Sequence, residues 1–350
     1  MKLPSSIRLT HSTIRHRLEE SEGRLSSYAS KSKSSKGRPR REESCPMRTE
    51  FQRDRDRIVH CKSFRRLMHK TQVFIAPTGD HYRTRLTHTL EVSQIARSVA
   101  RALNLNEDLT EAISLGHDLG HTPFGHVGED ALNELYHGGF RHNEQSLRVV
   151  DVLENDGLGL NLTWEVRDGI LKHSKNWTDI LDGHEDTAST LEGQICKLAD
   201  AVAYINHDVD DAIRAGIIGN GEVPSEVVGV LGRSHRERIN SLVVDIVVFS
   251  GCTMEPGDAP QIGMSLEVRE AANVLRRFLF ERVYNIAREE SEEAREVVRA
   301  LYAYFTTHAG DLPFEYNLRD SDIERCVVDY ISGMTDRYAM ETFRRLCTGF

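Results

Sequence analysis

Two side chains that bind divalent metal ions stand next to each other in this sequence, at His117 and Asp118. The pair offers one imidazole nitrogen and one carboxylate oxygen, and both can ligate the same cation. Neighbouring residues of a helix point about 100° apart, so ligands from other elements must complete the site. His88 lies upstream and Asp200 downstream, each in a segment with a helical pattern. These four residues therefore predict one divalent metal centre.

Apolar residues at spacings of three and four predict the helices that position these ligands. The stripe after His88 consists of Val92, Ile95, Ala96, Val99, Ala100 and Leu103. A second stripe leads up to His117 and consists of Leu109, Ala112, Ile113 and Gly116. A third helix has an apolar face and a separate polar face formed by Asp200, Tyr204, His207, Asp208 and Asp211. We expect that polar face to look into the metal site.

Composition and charge restrict the class of protein. No apolar run approaches the roughly 20 residues of a membrane-spanning helix, and the N-terminus lacks a signal peptide's apolar centre. We therefore expect a soluble, cytoplasmic protein that does not contact membranes. The six cysteines are scattered without a C-x-x-C pair, which is typical of reduced thiols, so metal binding must rest on His and carboxylates. The formal net charge of −9 argues against a general nucleic-acid binder.

The sequence predicts an all-α fold in three stretches. Residues 1–48 are basic and Ser-rich, and we expect a flexible N-terminal arm that is ordered only by a partner. Residues 49–220 form the helical, His-rich core, and residues 221–350 form a helical extension that packs on it. Lys31 to Arg41 holds six basic and no acidic residues, so a regulatory nucleotide or single-stranded nucleic acid could bind there.

Two features of the C-terminal stretch can be interpreted more closely. Residues 266–287 and 322–346 predict its clearest helices, each as one continuous element. Leu242 to Phe249 is ambiguous, because its β-branched residues favour a strand while its length and flanks fit a buried helix.

Longer motifs surround the four candidate ligands. They are Phe64-Arg-Arg-Leu67, Lys70-Thr-Gln-Val73, Thr78-Gly-Asp-His-Tyr-Arg-Thr-Arg-Leu-Thr-His88, His142-Asn-Glu-Gln145 and Gly333-Met-Thr-Asp-Arg-Tyr338. Together with the H…HD…D set of ligands they resemble the deoxynucleoside triphosphate triphosphohydrolase (dGTPase-like) family of HD-domain phosphohydrolases. The resemblance implies a helical HD-domain core, a single divalent metal, and hydrolysis of a dNTP to deoxynucleoside and inorganic triphosphate. Mixed His and carboxylate ligands suit manganese or magnesium, with iron, cobalt or nickel as alternatives.

The resemblance also implies the residues that transfer protons. His126 and Glu129 match the catalytic His and Glu of the bacterial enzymes, and a Glu at this spacing can orient an imidazole and raise its pKa. His121 matches a second His that lies near the α-phosphate. His142 is expected to line the site. As alternatives, His126 and Glu129 could only complement a helix dipole, and His142 could only pack.

Substrate contacts follow from the same resemblance. Arg85 matches a phosphate-binding Arg, and its planar fork suits phosphate oxygens. Tyr204 and Asp208 match residues that pack on the deoxyribose and bind its 3′-hydroxyl, although Tyr204 could equally be a core aromatic. Gln72 matches a residue close to C2′ that leaves no room for a 2′-hydroxyl. Further phosphate contacts could come from Arg65 and Lys70.

Other classes of function remain open at this stage. Another HD phosphohydrolase, such as a 5′-nucleotidase or cyclic-nucleotide phosphodiesterase, would share the metal ligands. A non-catalytic HD regulator that binds nucleotide or nucleic acid would share the fold. The sequence assigns no function to His173, and His207-Asp208 shows that the His-Asp dipeptide recurs. We further expect a homo-oligomer, and a second nucleotide could act as an allosteric ligand.

Overall fold

The computed structural model describes residues 11–72, 83–174, 179–181, 187–219, 221–254, 260–284, 291–317 and 322–347. Regular structure within these ranges is helical, and their extended pairing is limited to one antiparallel bridge between Thr71 and Thr84. The all-α prediction is confirmed. Among the described residues, no helix is long and apolar enough to cross a membrane.

The α-helices of the described residues are numbered here in chain order. They are α1 (His11–Glu22), α2 (Glu50–His60), α3 (Lys62–Arg66), α4 (Arg85–Ala102), α5 (Glu107–Gly116), α6 (Gly125–Leu135), α7 (His142–Arg148), α8 (Trp164–Leu171), α9 (Leu191–Arg214), α10 (Ser225–Leu231), α11 (His235–Cys252), α12 (Leu266–Leu279), α13 (Glu292–Thr307), α14 (Phe314–Asn317), α15 (Ile323–Ser332) and α16 (Asp336–Cys347).

Five helices form the part of the core that positions the site. α5 packs against α2, α4, α8 and α9, and α4 also packs against α9. The predicted apolar stripes face inward here, since Val92, Ile113 and Val202 are fully buried. Each such side chain contributes about 1.5–3 kcal/mol by leaving water. This packing brings the first turn of α4, the C-terminal end of α5 and the middle of α9 to one place.

A second hydrophobic cluster joins α6 to the C-terminal helices. Phe124 and Leu132 from the α6 region pack with residues of α13, α15 and α16, including Phe305 and Val327. Helices α10, α11 and α12 instead contribute to the first cluster, for example through Leu275. The C-terminal half therefore packs on the core at two places. The predicted division into three stretches stays a prediction.

The N-terminal arm differs from our expectation of a flexible segment. The backbone N–H and Oγ of Ser30 donate to the buried Glu192 carboxylate at 2.9 Å each, and Ser35 Oγ donates to Glu165 at 2.7 Å. The Arg38 side chain is 6% exposed and forms ion pairs with carboxylates of α2. The polar composition of the arm predicts disorder, because the carboxylates that bind the arm lie far along the chain and the arm's own sequence does not reveal them. A buried carboxylate needs hydrogen-bond donors, and the arm supplies them here.

Three predictions about the C-terminal half can be compared with the structure. The ambiguous segment from Leu242 to Phe249 lies inside α11 and is helical. The helix expected over 266–287 ends as an α-helix at Leu279 and continues as a π-helical turn to Tyr284, and residues 285–287 lie outside the described residues. The single helix expected over 322–346 is wrong, because α15 ends at Ser332 and α16 begins at Asp336.

Candidate active site

A cavity of about 430 Å³ lies where α4, α6, α9 and α12 approach one another. Apart from His117 and the two further phosphate candidates Arg65 and Lys70, every predicted site residue lines this cavity, namely Gln72, Arg85, His88, Asp118, His121, His126, Glu129, His142, Asp200, Tyr204 and Asp208. His117 lies beside Asp118 and is buried. Residues spread over more than 130 positions of the sequence thus meet at one place.

The four candidate metal ligands lie close together. His88 Nε2 is 3.2 Å from Asp200 Oδ1 and 3.9 Å from Asp118 Oδ2. His117 Nε2 is 3.4 Å from Asp118 Oδ1. A capping box at Thr84 fixes the start of α4, so that His88 lies in the first turn of this helix. The side chains of His88, His117 and Asp118 form one group whose donor atoms all lie within 4.8 Å of one another.

Hydrogen bonds leave a lone pair on each imidazole for a metal. His117 Nδ1 lies 2.6 Å from the Ser114 carbonyl and must donate to it, so Nε2 is unprotonated. That Nε2 is buried and has no hydrogen-bond partner among the described residues. A buried polar atom left in this way costs about 1–3 kcal/mol, so its placement is best explained by a ligand. The donor set fits a divalent cation.

Electrostatics keep these groups in the form that binds a cation. Burial opposes ionisation of Asp118, yet the neighbouring His117 and Arg85 hold its pKa well below the usual range. Burial lowers the pKa of His88, which favours the neutral imidazole. An ionised Asp118 carboxylate and a neutral His88 imidazole are therefore available near neutral pH, and both are in the form that binds a cation.

A further imidazole orients His88 from behind. His88 Nδ1 lies 2.9 Å from His207 Nε2, and we infer that His88 donates, which leaves its Nε2 for the metal. His207 Nδ1 is 2.6 Å from Asp208 Oδ1, and Asp208 Oδ2 accepts from the Tyr284 hydroxyl at 2.5 Å. A hydrogen bond to the second ring nitrogen fixes the orientation of a His that could bind a metal, and His207 provides it for His88. Asp208 lines the cavity and contacts His207 by proximity, without a hydrogen bond between Nδ1 and Oδ1.

Arg85 is the buried cation beside the metal ligands. Its side chain is 2% exposed, and Nη1 donates to Asp118 Oδ2 at 2.9 Å. Its Nε and Nη2 are buried and have no hydrogen-bond partner within the part of the chain that the structure describes. Gly125 leaves room for this guanidinium, since a Cβ there would lie 3.3 Å from Nη2. Two unpaired N–H groups of a planar fork suit a phosphate oxygen.

The other two candidate phosphate contacts do not reach this cavity. The Lys70 ammonium donates to the backbone carbonyls of His121 and Ser332, the latter at 2.7 Å. Arg65 is exposed and donates to the His60 carbonyl. Among the candidates, Arg85 alone is therefore placed to bind phosphate here.

Glu129 lies at the centre of the histidine cluster. Its Oε1 is 2.8 Å from both the backbone N and Nδ1 of His142, and its Oε2 is 3.2 Å from His126 Nδ1. Burial opposes ionisation, but His142 and His126 hold the pKa of Glu129 well below its usual range. Burial likewise opposes protonation of His142, and Glu129 raises the pKa of this imidazole. Glu129 and His142 therefore form an ion pair.

The protonation of His142 also follows from its second neighbour, His173. His173 Nδ1 donates to the Ile170 carbonyl at 2.7 Å, so its Nε2 can only accept. That Nε2 lies 3.2 Å from His142 Nε2. Burial lowers the pKa of His173 to about 3, so it stays neutral. His142 must then donate from both ring nitrogens, which makes it an imidazolium.

The remaining two histidines differ in exposure. His126 is about half exposed at the mouth of the cavity, and Glu129 orients its Nδ1. His121 is buried and stacks on the His142 ring with centroids 4.4 Å apart. Burial and the nearby Arg85 lower the pKa of His121 well below its usual value. His126 is thus the histidine best placed to exchange protons with a ligand, and His121 stays neutral.

Helices α9 and α12 also contribute to the cavity. Tyr204 and Asp208 of α9 line it together with Gln72, and so do residues of α12 and its π-helical turn: Arg276, Phe280 and Tyr284. Burial raises the pKa of Tyr204, so its hydroxyl stays protonated. The buried Gln72 Oε1 has no hydrogen-bond partner in the described ranges.

The sequence assigned no role to His173 and did not indicate the α12 side of the cavity. It placed His207 on the polar face of α9, two turns after Asp200, but did not indicate its contact with His88. His173 follows the short helix α8 without a distinctive pattern, and only the tertiary packing places it beside His142.

Comparison with known proteins agrees with this site. The HD domain model matches residues 85–205, and the phosphohydrolase-associated domain model matches residues 262–345. A deoxyguanosinetriphosphate triphosphohydrolase-like protein of Caldanaerobacter subterraneus is 55% identical over 339 residues, covering 95% of each chain. A protein of the same name from Desulfatibacillum aliphaticivorans is 48% identical, covering 95% of this chain and 98% of its own. The chain belongs to the deoxyguanosinetriphosphate triphosphohydrolase-like proteins of the HD-domain hydrolases.

Proposed function

We propose that this protein is a metal-dependent dNTP triphosphohydrolase, which cleaves a deoxynucleoside triphosphate to deoxynucleoside and inorganic triphosphate. The observation that carries the proposal is the buried Arg85 fork. It presents two unpaired N–H groups in the same cavity as the metal ligands and the His126–Glu129 pair. The names of the relatives, deoxyguanosinetriphosphate triphosphohydrolase-like, support the same substrate class.

The metal would be held by His88, His117, Asp118 and Asp200. When bound, a divalent ion supplies positive charge to a phosphate oxygen and lowers the pKa of water. Arg85 adds a second positive charge at the same place, since its Nη1 already contacts Asp118. Phosphoryl transfer depends mainly on such positioning and charge stabilisation.

Proton transfer falls to the histidine cluster. Attack of water on the α-phosphorus releases one proton from the water, and the departing 5′-oxygen of the deoxynucleoside takes one up. His126 Nε2 would transfer a proton to or from one of these two oxygens. Glu129 would meanwhile orient the ring through His126 Nδ1. The His142 imidazolium fixes Glu129 in its ionised form, so this carboxylate can stabilise positive charge on His126.

The sugar would lie against Gln72, Tyr204 and Asp208, which all line the cavity. A 2′-hydroxyl would collide with Gln72, and we propose that this excludes ribonucleotides. The Tyr204 hydroxyl and the Asp208 carboxylate would contact the ring and the 3′-hydroxyl. None of these three contacts reads the base, so selection among bases is expected to be weaker than selection of the sugar.

The products of hydrolysis test this function. The protein is incubated with each of the four dNTPs and manganese, with and without a second dNTP, and the products are separated by ion-exchange chromatography. Inorganic triphosphate and deoxynucleoside are expected from the wild type and from Asp210→Asn, a control on α9 that does not line the cavity. A monophosphate product would indicate another HD phosphohydrolase, and no product would indicate a regulator.

Finer properties belong to the same proposal. We propose manganese or magnesium as the metal, with iron, cobalt or nickel as alternatives. The protein would act as a homo-oligomer in the cytoplasm, where a second nucleotide could activate it. The basic stretch from Lys31 to Arg41 could hold that nucleotide or single-stranded nucleic acid. Metal analysis, sedimentation velocity and the assay with paired dNTPs test these points separately.

A further inference from the structure

The N-terminal end of α16 lies against two walls of the cavity at once. Asp336 Oδ2 accepts a hydrogen bond from the Thr71 backbone N–H at 2.9 Å and another from Thr71 Oγ1. Asp336 Oδ1 accepts from the Phe124 backbone N–H at 3.0 Å. Thr71 precedes Gln72, and Phe124 lies two residues before His126. One carboxylate outside the HD domain therefore contacts both the predicted sugar wall and the segment that carries the proton-transfer pair.

The segment at Phe124 needs a contact of this kind. Phe124 has φ 61° and ψ 23°, and Gly125 has φ 60°, so two residues with positive φ follow each other at the start of α6. A non-glycine residue in this region is strained, because its Cβ lies too close to the following carbonyl oxygen. Phe124 is the N-cap residue of α6, and its side chain makes no capping hydrogen bond to the helix. The Asp336 carboxylate and the buried Phe124 ring hold this turn from the C-terminal region instead.

The two walls also contact each other where Asp336 joins them. A Cβ at Gly125 would lie 3.2 Å from the Gln72 carbonyl oxygen, so the backbones meet without space for a side chain. Thr71 forms the antiparallel bridge with Thr84, the N-cap of α4. A displacement at Thr71 would therefore shift Gln72, and a displacement at Phe124 would shift His126.

We propose that Asp336 is a positioning residue that sets the distance between the sugar wall at Gln72 and the proton-transfer pair on α6. The proposal rests on the proposed function, since it assigns Asp336 to that reaction. Both carboxylate oxygens accept backbone N–H groups, so a carboxylate is required. An asparagine at this position would place its side-chain NH₂ against one of the two backbone N–H groups. Both groups are donors, so one of the two hydrogen bonds would be lost.

Asp336→Asn tests this arrangement in the full-length, metal-loaded protein. We expect kcat for dGTP to fall about 10- to 100-fold, the usual result of a displacement near 1 Å, with KM changed less. We expect the preference for dGTP over GTP to fall as well. In a Gln72→Ala background the same substitution should change that preference no further, because Asp336 acts on it through Gln72. Glu341→Gln is the matched control, an exposed acidic residue of α16 paired with Arg337.

Hydrogen exchange measured by mass spectrometry gives a second readout that does not depend on activity. Asp336→Asn should speed exchange in peptides covering residues 67–72 and 120–130, and Glu341→Gln should leave both unchanged. A wild type without dNTP hydrolysis would overturn the proposed function, and the exchange result would still decide whether Asp336 holds both walls. Unchanged exchange, or an unchanged kcat and sugar preference in an active enzyme, would overturn the positioning role.

Discussion

Replacing His173 tests the hydrogen-bond chain that runs from Glu129 through His142. His173→Leu keeps a similar volume but removes the acceptor at Nε2, so one donor of the His142 imidazolium is left buried and unpaired. Hydrogen bonds to charged groups contribute about 1.5–3 kcal/mol. His173→Gln is the control, because its side-chain oxygen can still accept.

The effect should depend on pH in a definite direction. Glu129 raises the folded-state pKa of His142, against the effect of burial. A raised pKa means that the contribution to folding is fully present below the unfolded value, near 6.5, and is lost as pH rises through the folded value. The cost of His173→Leu should therefore be largest at or below about pH 6 and should shrink at alkaline pH.

Thermal unfolding at several pH values measures this cost. For a chain of this length, about 2 kcal/mol corresponds to a shift in Tm of roughly 3 °C. Turnover should fall about tenfold if the weakened Glu129–His142 pair loses about 1.4 kcal/mol of transition-state stabilisation. Equal stability of the Leu and Gln variants at pH 6 would refute the assignment of His142 as a donor from both nitrogens.

Four other substitutions test the site more directly. Asp200→Ala should abolish metal retention and turnover, while the circular dichroism signal of the helices is preserved. If elemental analysis finds stoichiometric metal in this variant, Asp200 is excluded as a ligand. His126→Ala should slow turnover by about two to four powers of ten, while nucleotide binding, measured by calorimetry, is kept. Glu129→Ala should slow turnover by a similar or smaller factor. A near-normal rate in the His126 variant would mean that the pair only caps a helix. Gln72→Ala should raise kcat/KM for GTP relative to dGTP, whereas equal turnover of GTP and dGTP by the wild type would contradict the steric wall.

The convergence of the four candidate metal ligands could be predicted from helices with clear periodicity. His88 and Asp200 lie on such helices, and His117 and Asp118 directly follow α5. Val92 and the residues that follow it mark the buried face of α4, and this pattern places His88 in the same direction. The polar face of α9 placed Asp200, Tyr204 and Asp208 together in the same way. Ligands on regular elements follow from spacing, because the helix converts sequence distance into direction.

The N-terminal arm shows why composition was a poor guide there. Its serines and basic residues are typical of a disordered segment, yet Ser30 contacts Glu192 across more than 160 residues of sequence. The carboxylates of Glu192 and Glu165 are buried by the core and depend on donors from the arm. Polarity indicates disorder only when no partner elsewhere in the chain needs those polar groups.

The interruption between α15 and α16 was the other structural feature that periodicity could not reveal. Apolar residues continue with helical spacing on both sides, so the sequence predicts one helix over 322–346. In a continuous helix, Asp336 would lie one turn after Ser332, and its side chain would project from the surface of that helix. Because α16 instead begins at Asp336, both carboxylate oxygens reach Thr71 and Phe124 while Ser332 still binds Lys70 through its carbonyl. The break thus gives the C-terminal region two separate attachments to the segments around the cavity, and the attachment through Asp336 is the reason that we expect a substitution there to change catalysis.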